Sequence, residues 1–248
     1  MNCKSYLENL RNKIEDLNIQ KAVIGLSGGK DSNIVAKLMV DILGKENVVG
    51  VMIPNGGAND DLAEELVRLL DINSVTCDIG NSFASMCQCL DDGLHSIRKD
   101  LTNPAYINIA PRLRMTVLYA VAQSLGGGYR VIGTTNRSEN YIGWLTKWGD
   151  GGVDFEPIIN LTVRELHELG SYIGLPEKFV KRVPVDGLTP KTDEERFGFT
   201  YNQLDDYIEV EDMTGHGTCG DKDIDAKIEQ MNRYSEHKRN PIPDVRKD

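Results

Sequence analysis

A short glycine turn between a predicted strand and a predicted helix constrains this chain more than any other feature. The apolar run Val23-Ile24-Gly25-Leu26 leads into Ser27-Gly28-Gly29-Lys30-Asp31-Ser32, and a helix is predicted to start near Asp31. A turn of this kind points several backbone N–H groups at one spot, where the positive end of the helix dipole also lies. The pattern therefore predicts a phosphate site.

The acidic residue in this turn indicates that a metal ion accompanies the phosphate. A carboxylate at Asp31 would repel a bare phosphate, but a Mg²⁺ ion between the two groups removes the conflict. Glu139, in the segment Gly133–Glu139 after the last clear strand, is a second candidate ligand. Its alternative role is that of a carboxylate facing a helix dipole. The pair predicts a metal–nucleotide site.

Strands and helices are predicted to alternate along the first half of the chain. Four short segments are rich in Val and Ile, and helical patterns fill the gaps between them. Nearly continuous apolar strands in such an alternation predict an α/β fold, a doubly wound parallel sheet with helices on both faces. Ligands bind beyond the carboxyl ends of such strands. The predicted strands are Lys21–Leu26, Val48–Pro54, Ser74–Ile79 and Arg130–Thr134.

Composition narrows the possible partners. A chain of 248 residues can bury one substantial core, so a single domain over residues 1–248 is expected. The formal net charge of −10 argues against a general nucleic-acid binder. No apolar run approaches the roughly 20 residues that cross a membrane. The odd number of cysteines, five, suits free thiols in a reducing cytoplasm.

Two further segments carry candidate substrate-binding residues. The run Gly143–Asp154 holds three types of suitable side chain: tryptophans that can stack on a base, Lys147 for a phosphate or carboxylate, and Asp154 for a ribose hydroxyl or an amide. A structural Ω-loop is the alternative. Pro111 is predicted to open a helix, which places Arg112 in its first turn. A cation in the first turn is unfavourable to the helix dipole, and an anionic ligand would explain its presence there. A solvated basic edge is the alternative there.

The order and spacing of these motifs resemble a known family. The Ser27–Ser32 loop resembles that of the ATP pyrophosphatase superfamily, and the whole pattern resembles the ammonia-dependent NAD synthetases. The run at 146–154, Thr-Lys-Trp-Gly-Asp-Gly-Gly-Val-Asp, is the most diagnostic part. The resemblance also rests on Asn108-x-x-x-Arg112-x-Arg114-Met115, Gly133–Glu139, Asp186-Gly187-Leu188, Thr192-Asp193-Glu194, Gly198-Phe199-Thr200-Tyr201 and His237-Lys238-Arg239.

The resemblance implies a fold and a reaction. It implies an adenine-nucleotide alpha hydrolase-like fold in a single synthetase domain over residues 1–248, without a glutaminase domain. The implied ligase uses ATP to adenylate the nicotinate carboxylate of deamido-NAD, and ammonia then displaces AMP to give NAD. Mg²⁺ is the implied cofactor and ATP a co-substrate. The family also implies a homodimer. The cysteines predict a cytoplasmic location, and the composition predicts no nucleic-acid or membrane partner.

The resemblance also assigns roles to individual residues. Family members often carry a lysine where this chain has Val163, so Arg164 is a candidate replacement. The implied metal ligands are Asp31 and Glu139, and the residues facing deamido-NAD are Arg112, Lys147, Asp154, His237 and Lys238. The implied ATP-binding residues are Gly25, Leu26, Ser27, Gly28, Gly29, Lys30, Asp31, Ser32, Thr134 and Thr189.

Two other functions fit part of the pattern. Another amide-forming ATP pyrophosphatase, such as a GMP synthetase core, would share the phosphate turn but lack the Lys147–Asp154 run. A non-catalytic adenine-nucleotide sensor would bind ATP without turning it over, and has less need of two metal carboxylates. Pyrophosphate release on addition of deamido-NAD separates an enzyme from a sensor.

Overall fold

A parallel sheet of four strands forms the centre of the molecule. The computed structural model describes residues 1–181 and 192–243. Strand β1 lies between β2 and β4, and the order across the sheet is β3-β2-β1-β4, with every pair parallel. The strands are β1 Lys21–Gly25, β2 Val48–Met52, β3 Asn73–Thr76 and β4 Tyr129–Ile132.

The strand order changes direction at β1. Strands β2 and β3 add on one side of β1, and β4 adds on the other side. Val23 of β1 is in register with Val49 of β2 on one side and with Val131 of β4 on the other. The connections after β1 and β4 therefore leave the sheet side by side, at the same edge. This is the switch point at which parallel α/β sheets bind ligands.

Helices cover both faces of the sheet. Ala22 and Ile24 point into one core with α1, α2, α3, α7 and α8, while Val23 points into the other with α5, because successive strand side chains face opposite ways. The helices are α1 Cys3–Asp16, α2 Lys30–Leu43, α3 Asp61–Leu70, α4 Gly80–His95, α5 Asn103–Leu125, α6 Arg137–Ile142, α7 Val163–Tyr172, α8 Glu177–Val180, α9 Asp193–Phe197, α10 Tyr201–Thr214 and α11 Lys222–Arg239.

A second apolar cluster lies beyond the β4 edge of the sheet. It joins α6, α9, α10 and α11 through buried side chains that include Ile142, Phe197, Leu204 and Ile228. Phe197 is the centre of an aromatic group. The centre of its ring lies 4.5 Å from the ring centre of Trp144 and 5.4 Å from that of Phe199. This cluster places the C-terminal helices against the loop that follows α6.

The predicted fold class is confirmed, and one predicted helix start is wrong. The four strands appear at the predicted places, with ends that differ by up to three residues. Pro111 does not open a helix, because α5 already begins at Asn103, where the Thr102 side chain accepts a hydrogen bond from the Ala105 N–H. Arg112 therefore lies in the interior of α5, away from the positive end of its dipole.

Two segments of the chain lie outside the described residues. Residues 182–191 and 244–248 are not described, and they include Thr189. Within the described part of the chain, no helix combines the length and the apolar character needed to cross a bilayer.

The buried side chain of Asn33 ties the phosphate turn to the core. Its amide Nδ2 donates to the carbonyl of Gly28 at 3.3 Å and to that of Phe179 at 3.1 Å. We expect Asn33→Ala to lower the free energy of unfolding by about 1–3 kcal/mol, because two buried carbonyls lose a donor. Urea unfolding measures this, with Asn12→Ala on the exposed face of α1 as the control. Equal stabilities for the two variants would contradict the assignment.

Candidate nucleotide site

The phosphate turn has the geometry of an anion site. Gly28 has a positive φ of 75°, which glycine adopts without strain. Gly29 is the N-cap of α2 and has no side chain to accept hydrogen bonds from the first-turn N–H groups. The Ser32 hydroxyl donates to the Gly29 carbonyl at 3.0 Å and so braces the turn. The open N-terminus of a long helix at a strand end is suited to phosphate oxygens.

A buried lysine lies among three carboxylates beside this turn. Lys30 is only 2% exposed, and its ammonium group lies 3.0 Å from Oδ2 of Asp31. Burial by itself would lower the pKa of Lys30, but the nearby charges of Asp31, Glu139 and Asp193 outweigh burial, so the pKa is raised. Lys30 therefore remains charged in this site.

The carboxylates around Lys30 carry more negative charge than one lysine can offset. Burial, and then the charge of Asp31, hold the pKa of Glu139 well above its ordinary value. Burial likewise raises the pKa of Asp193. Oδ1 of Asp31 and Oδ1 of Asp193 are both buried without a hydrogen-bond partner among the described residues. Such a cluster becomes more stable when a further cation joins it.

The donor set fits Mg²⁺ held jointly with phosphates. Among residues 1–181 and 192–243, no group of three or more His, Cys, Asp or Glu side chains is arranged to hold a metal ion alone. Mg²⁺ in nucleotide sites is typically bound by one or two carboxylates together with substrate phosphates. Asp31, with its unpartnered buried oxygen, and Glu139 supply that number from two neighbouring strand ends.

A cavity of about 870 Å³ opens above these groups. Its walls are the ends of β1, β2 and β4, the first turn of α2, one face of α5 and the loop after α6. Among the described residues, five acidic and four basic side chains line it. A triphosphate entering this cavity meets no excess of positive charge, which is a second reason to expect a divalent cation with it.

The structure brings most of the expected ATP-binding residues together. Gly28 lies between the lining residues Ser27 and Gly29 but does not itself line the cavity. Thr189 lies outside the described residues. Both expected metal ligands, Asp31 and Glu139, line the cavity. The other expected ATP-binding residues that line it are Gly25, Leu26, Ser27, Gly29, Lys30, Ser32 and Thr134.

Most of the residues expected to face deamido-NAD do not line the cavity of this chain. Lys238 lines the cavity. Arg112 Nε donates to the Lys147 carbonyl at 3.3 Å, and Lys147 Nζ donates to the His237 carbonyl at 2.5 Å, so these three residues form one connected group. Asp154 lies beside β4, where its N–H donates to the Val131 carbonyl at 2.9 Å.

Asp154 is engaged in contacts with the protein itself. Its Oδ2 accepts the Val131 N–H at 2.8 Å, and its Oδ1 accepts the hydroxyl of Tyr119 at 3.1 Å. The exposed carboxylate therefore anchors the segment after the Gly143–Asp154 loop to the edge strand. A substrate hydroxyl that bound here would share these oxygens.

Arg164 does not occupy the place of the missing family lysine. Its guanidinium pairs with Asp206 at 2.6 Å and Glu209 at 3.1 Å on α10, and it is not among the residues that line the cavity. Val163 is 7% exposed and packs in the second apolar cluster. The expected replacement therefore has no support in the structure.

Sequence reasoning missed several residues of the site. Asp193 and Arg196 reach the cavity from α9, and the Arg196 guanidinium lies 4.5 Å from the centre of the Trp144 ring. The pattern Thr192-x-x-Glu195 is a capping-box signal that predicts a helix start at this point. No local signal shows that this helix packs beside Lys30, since tertiary packing alone sets that contact.

Glu156 is a partly buried carboxyl group beside Gly133 and Thr135, which line the cavity. Its Oε2 accepts the Thr135 N–H at 3.1 Å, and a Cβ atom added to Gly133 would lie 2.2–2.3 Å from the carboxyl atoms. Burial raises the pKa of Glu156 to about 8. This residue thus stabilises the turn that carries Thr134, next to the expected nucleotide.

Fold and site together define a class of protein. A parallel sheet covered by helices, with a glycine turn after β1 and a carboxylate after β4, is an α/β fold of the adenine-nucleotide alpha hydrolase-like type. The profile of the NAD synthase family matches residues 3–242. The chain belongs to the NAD synthase family.

Individual relatives agree with this assignment. The chain is 37% identical over 239 residues to the NH(3)-dependent NAD(+) synthetase of Carboxydothermus hydrogenoformans, which covers 95% of this chain and 93% of that protein. The NMN synthetase from Francisella tularensis superposes with a TM-score of 0.83 at 31% identity over 99% of both chains. The NH3-dependent NAD synthetase from Campylobacter jejuni superposes with a TM-score of 0.71 at 26% identity, over 99% of this chain and 97% of that one.

The raised pKa of Glu156 predicts a pH-dependent stability. Between pH 4.5 and about 8 the folded protein keeps the Glu156 proton and the unfolded chain releases it, so the free energy of unfolding falls as the pH rises through this range. Glu156→Gln removes this titration and keeps an acceptor for Thr135. We expect the variant to be more stable than the parent at pH 8 and to lose that advantage near pH 4.5.

Thermal unfolding at the two pH values measures the effect, with Glu8→Gln on the exposed face of α1 as the control. If the parent and Glu156→Gln differed in stability by the same amount at both pH values, the pKa of Glu156 would not be raised, and Glu156 would be ionised in the folded protein at pH 8.

Proposed function

We propose that this chain forms NAD from deamido-NAD, ATP and ammonia. The observation that carries the proposal is the position of Asp31 and Glu139, which face one cavity from neighbouring strand ends beside an open helix N-terminus. Such a site suits the α, β and γ phosphates of ATP with a bridging cation. The family of the chain and the name of its relative from Carboxydothermus support the choice of substrates.

The reaction proceeds in two displacements. A nicotinate carboxylate oxygen attacks the α-phosphorus of ATP, and the bond from that phosphorus to the β-bridging oxygen breaks, which releases pyrophosphate. Ammonia then attacks the carboxyl carbon of the adenylate, loses a proton, and AMP leaves with its oxygen. Activation is needed because a free carboxylate is a poor electrophile at neutral pH.

The residues of this chain supply binding, charge and orientation. The N–H groups of the turn and the first turn of α2 bind the phosphates, and the ammonium group of Lys30 adds positive charge beside them. Mg²⁺, when bound by Asp31 and Glu139, would neutralise charge that develops on the departing pyrophosphate. Holding both substrates in one cavity supplies an orientation effect worth several kcal/mol.

A homodimer and a cytoplasmic location are part of the proposal. Exposed apolar side chains lie on α4 and α5, among them Met86, Leu90 and Tyr106. The connected group of Arg112, Lys147 and His237 does not line the cavity of one chain, so a second chain would complete a site for a long dinucleotide there. The cysteines of the described residues are all free thiols, which suits a reducing compartment.

A second candidate substrate is the nicotinate mononucleotide. The observation that favours it is the superposition on the Francisella NMN synthetase, whose TM-score of 0.83 exceeds the 0.71 of the Campylobacter NAD synthetase. The chemistry at the carboxylate is the same for both substrates. Only the binding of the adenylate half of the dinucleotide differs.

One assay separates these functions. The protein is incubated with MgATP and ammonium and with deamido-NAD, nicotinate mononucleotide or XMP, and AMP, pyrophosphate and the amide product are measured. We expect amidation of deamido-NAD with equal amounts of AMP and pyrophosphate. A higher kcat/KM for the mononucleotide would reassign the substrate. Amination of XMP would indicate a GMP synthetase activity, and ATP binding without pyrophosphate release would indicate a sensor.

Asp31→Asn tests the metal role directly. The substitution removes one charge and little volume, and Glu139 and Asp193 remain beside Lys30, so we expect the protein to fold. Turnover should fall about 100-fold or more, and the half-saturating Mg²⁺ concentration should rise. Asp16→Asn, exposed at the end of α1, is the matched control. Turnover and Mg²⁺ dependence like those of the control would remove Asp31 from the metal site.

A further inference from the structure

The last turn of α11 holds the C-terminal end of α6. Nη1 of the Arg239 guanidinium donates to the carbonyl oxygens of Asn140 and Tyr141, at 3.1 Å each, and to Oγ of Ser235 at 2.6 Å. Its Nη2 donates to the carbonyl of Asn232 at 2.6 Å. One planar cation thus joins two carbonyls of α6 to two acceptors within α11.

The loop that follows α6 is held by the neighbouring residue. Lys238 Nζ donates to the carbonyls of Gly143 and Leu145, at 2.7 and 2.8 Å. Gly143 has a positive φ of 66°, and a Cβ atom added there would lie 1.9 Å from Cβ of Ser235. The close approach of the two helices therefore depends on glycine at this position, and Arg239 spans the same contact.

These contacts answer a requirement of helix ends. The last carbonyls of a helix have no N–H partners within it, and cations are favoured there. At the end of α6, Arg239 shares these carbonyls with two weaker, neutral donors: the Gly143 N–H on Asn140, at 3.1 Å, and Nδ2 of Asn232 on Tyr141, at 2.7 Å. Helix α6 has only six residues, and Glu139 is the third of them. Because a helix rises about 1.5 Å per residue, Glu139 is only about 4.5 Å along the axis from the last residue of α6. A shift of the C-terminal end of α6 would therefore also move the Glu139 carboxylate. The Trp144 N–H also donates to the Glu139 carbonyl, at 2.8 Å.

We propose that Arg239 is a positioning residue, which by binding the carbonyls at the end of α6 fixes Glu139 on one side and the Gly143–Leu145 loop on the other. Arg239 does not line the cavity, whereas Lys238, Glu139, Gly143 and Leu145 do. The proposal rests on the proposed function for its kinetic consequences. Its structural consequence, an ordered loop, is independent of any substrate.

Tryptophan fluorescence tests the structural consequence. The chain has two tryptophans, Trp144 and Trp148, and both lie in the loop after α6. We expect acrylamide to quench the tryptophan emission more strongly in Arg239→Ala than in the parent, because the two indole rings become more accessible. Arg239→Lys should have an intermediate effect, because a lysine cannot reach all four acceptors. Arg233→Ala, an exposed arginine of α11, is the control and should quench like the parent.

Steady-state kinetics test the functional consequence. We expect Arg239→Ala to raise the KM for the nicotinate nucleotide and the half-saturating Mg²⁺ concentration on the order of 10- to 100-fold, because misplacement by about 1 Å has effects of this size. Millimolar guanidinium should restore part of the loss in Arg239→Ala and nothing in Arg233→Ala. A purely structural role would lower the unfolding temperature without this rescue.

Each outcome decides the proposal. Parent-like quenching in a folded Arg239→Ala protein, or a lowered unfolding temperature with unchanged KM values, would overturn it. If Arg239→Ala does not fold, Arg239→Lys carries both tests. If the parent protein forms no amide product, the proposed function fails, and the quenching series still decides whether Arg239 orders the loop.

Discussion

The buried ammonium group of Lys30 is the interaction on which this site depends. It lies beside Asp31 at 3.0 Å, within the field of Glu139 and Asp193, and 5.5 Å from the centre of the Tyr201 ring. A charge that is almost fully buried is tolerated only when it is paired, because loss of one partner typically costs about 3–5 kcal/mol. Lys30 thereby draws together segments from α2, α6, α9 and α10 that are distant in the sequence.

The same arrangement explains why the site suits a metal–nucleotide complex. The carboxylates near Lys30 outnumber it, and their pKa values are raised where burial dominates, as at Glu139 and Asp193. The folded protein thus holds a cluster that a divalent cation and a phosphate would complete. The C-terminal helix α11 closes the other side, since Lys238 and Arg239 bind the carbonyls around Gly143.

The sheet and the phosphate turn were predictable because their signals are local. Alternating apolar strands and helices predicted the doubly wound sheet, and the carboxyl ends of neighbouring parallel strands had to bring Asp31 and Glu139 to the same edge. The start of α5 was not predicted correctly, because Pro111 was interpreted as a helix start. A proline within a long helix costs a hydrogen bond, but the packing of α5 against the sheet outweighs that loss.

The sequence alone determined the elements of this protein whose physics is short-range: the turn at Ser27–Ser32, the apolar strands and the capped helices. Only the tertiary structure decided that Asp193 and Arg196 face the cavity, that Asp154 binds the backbone of β4, and that Arg164 pairs with α10. The reason is that these contacts join residues tens of positions apart. Their formation depends on how whole helices pack, and no local pattern of side chains encodes that packing.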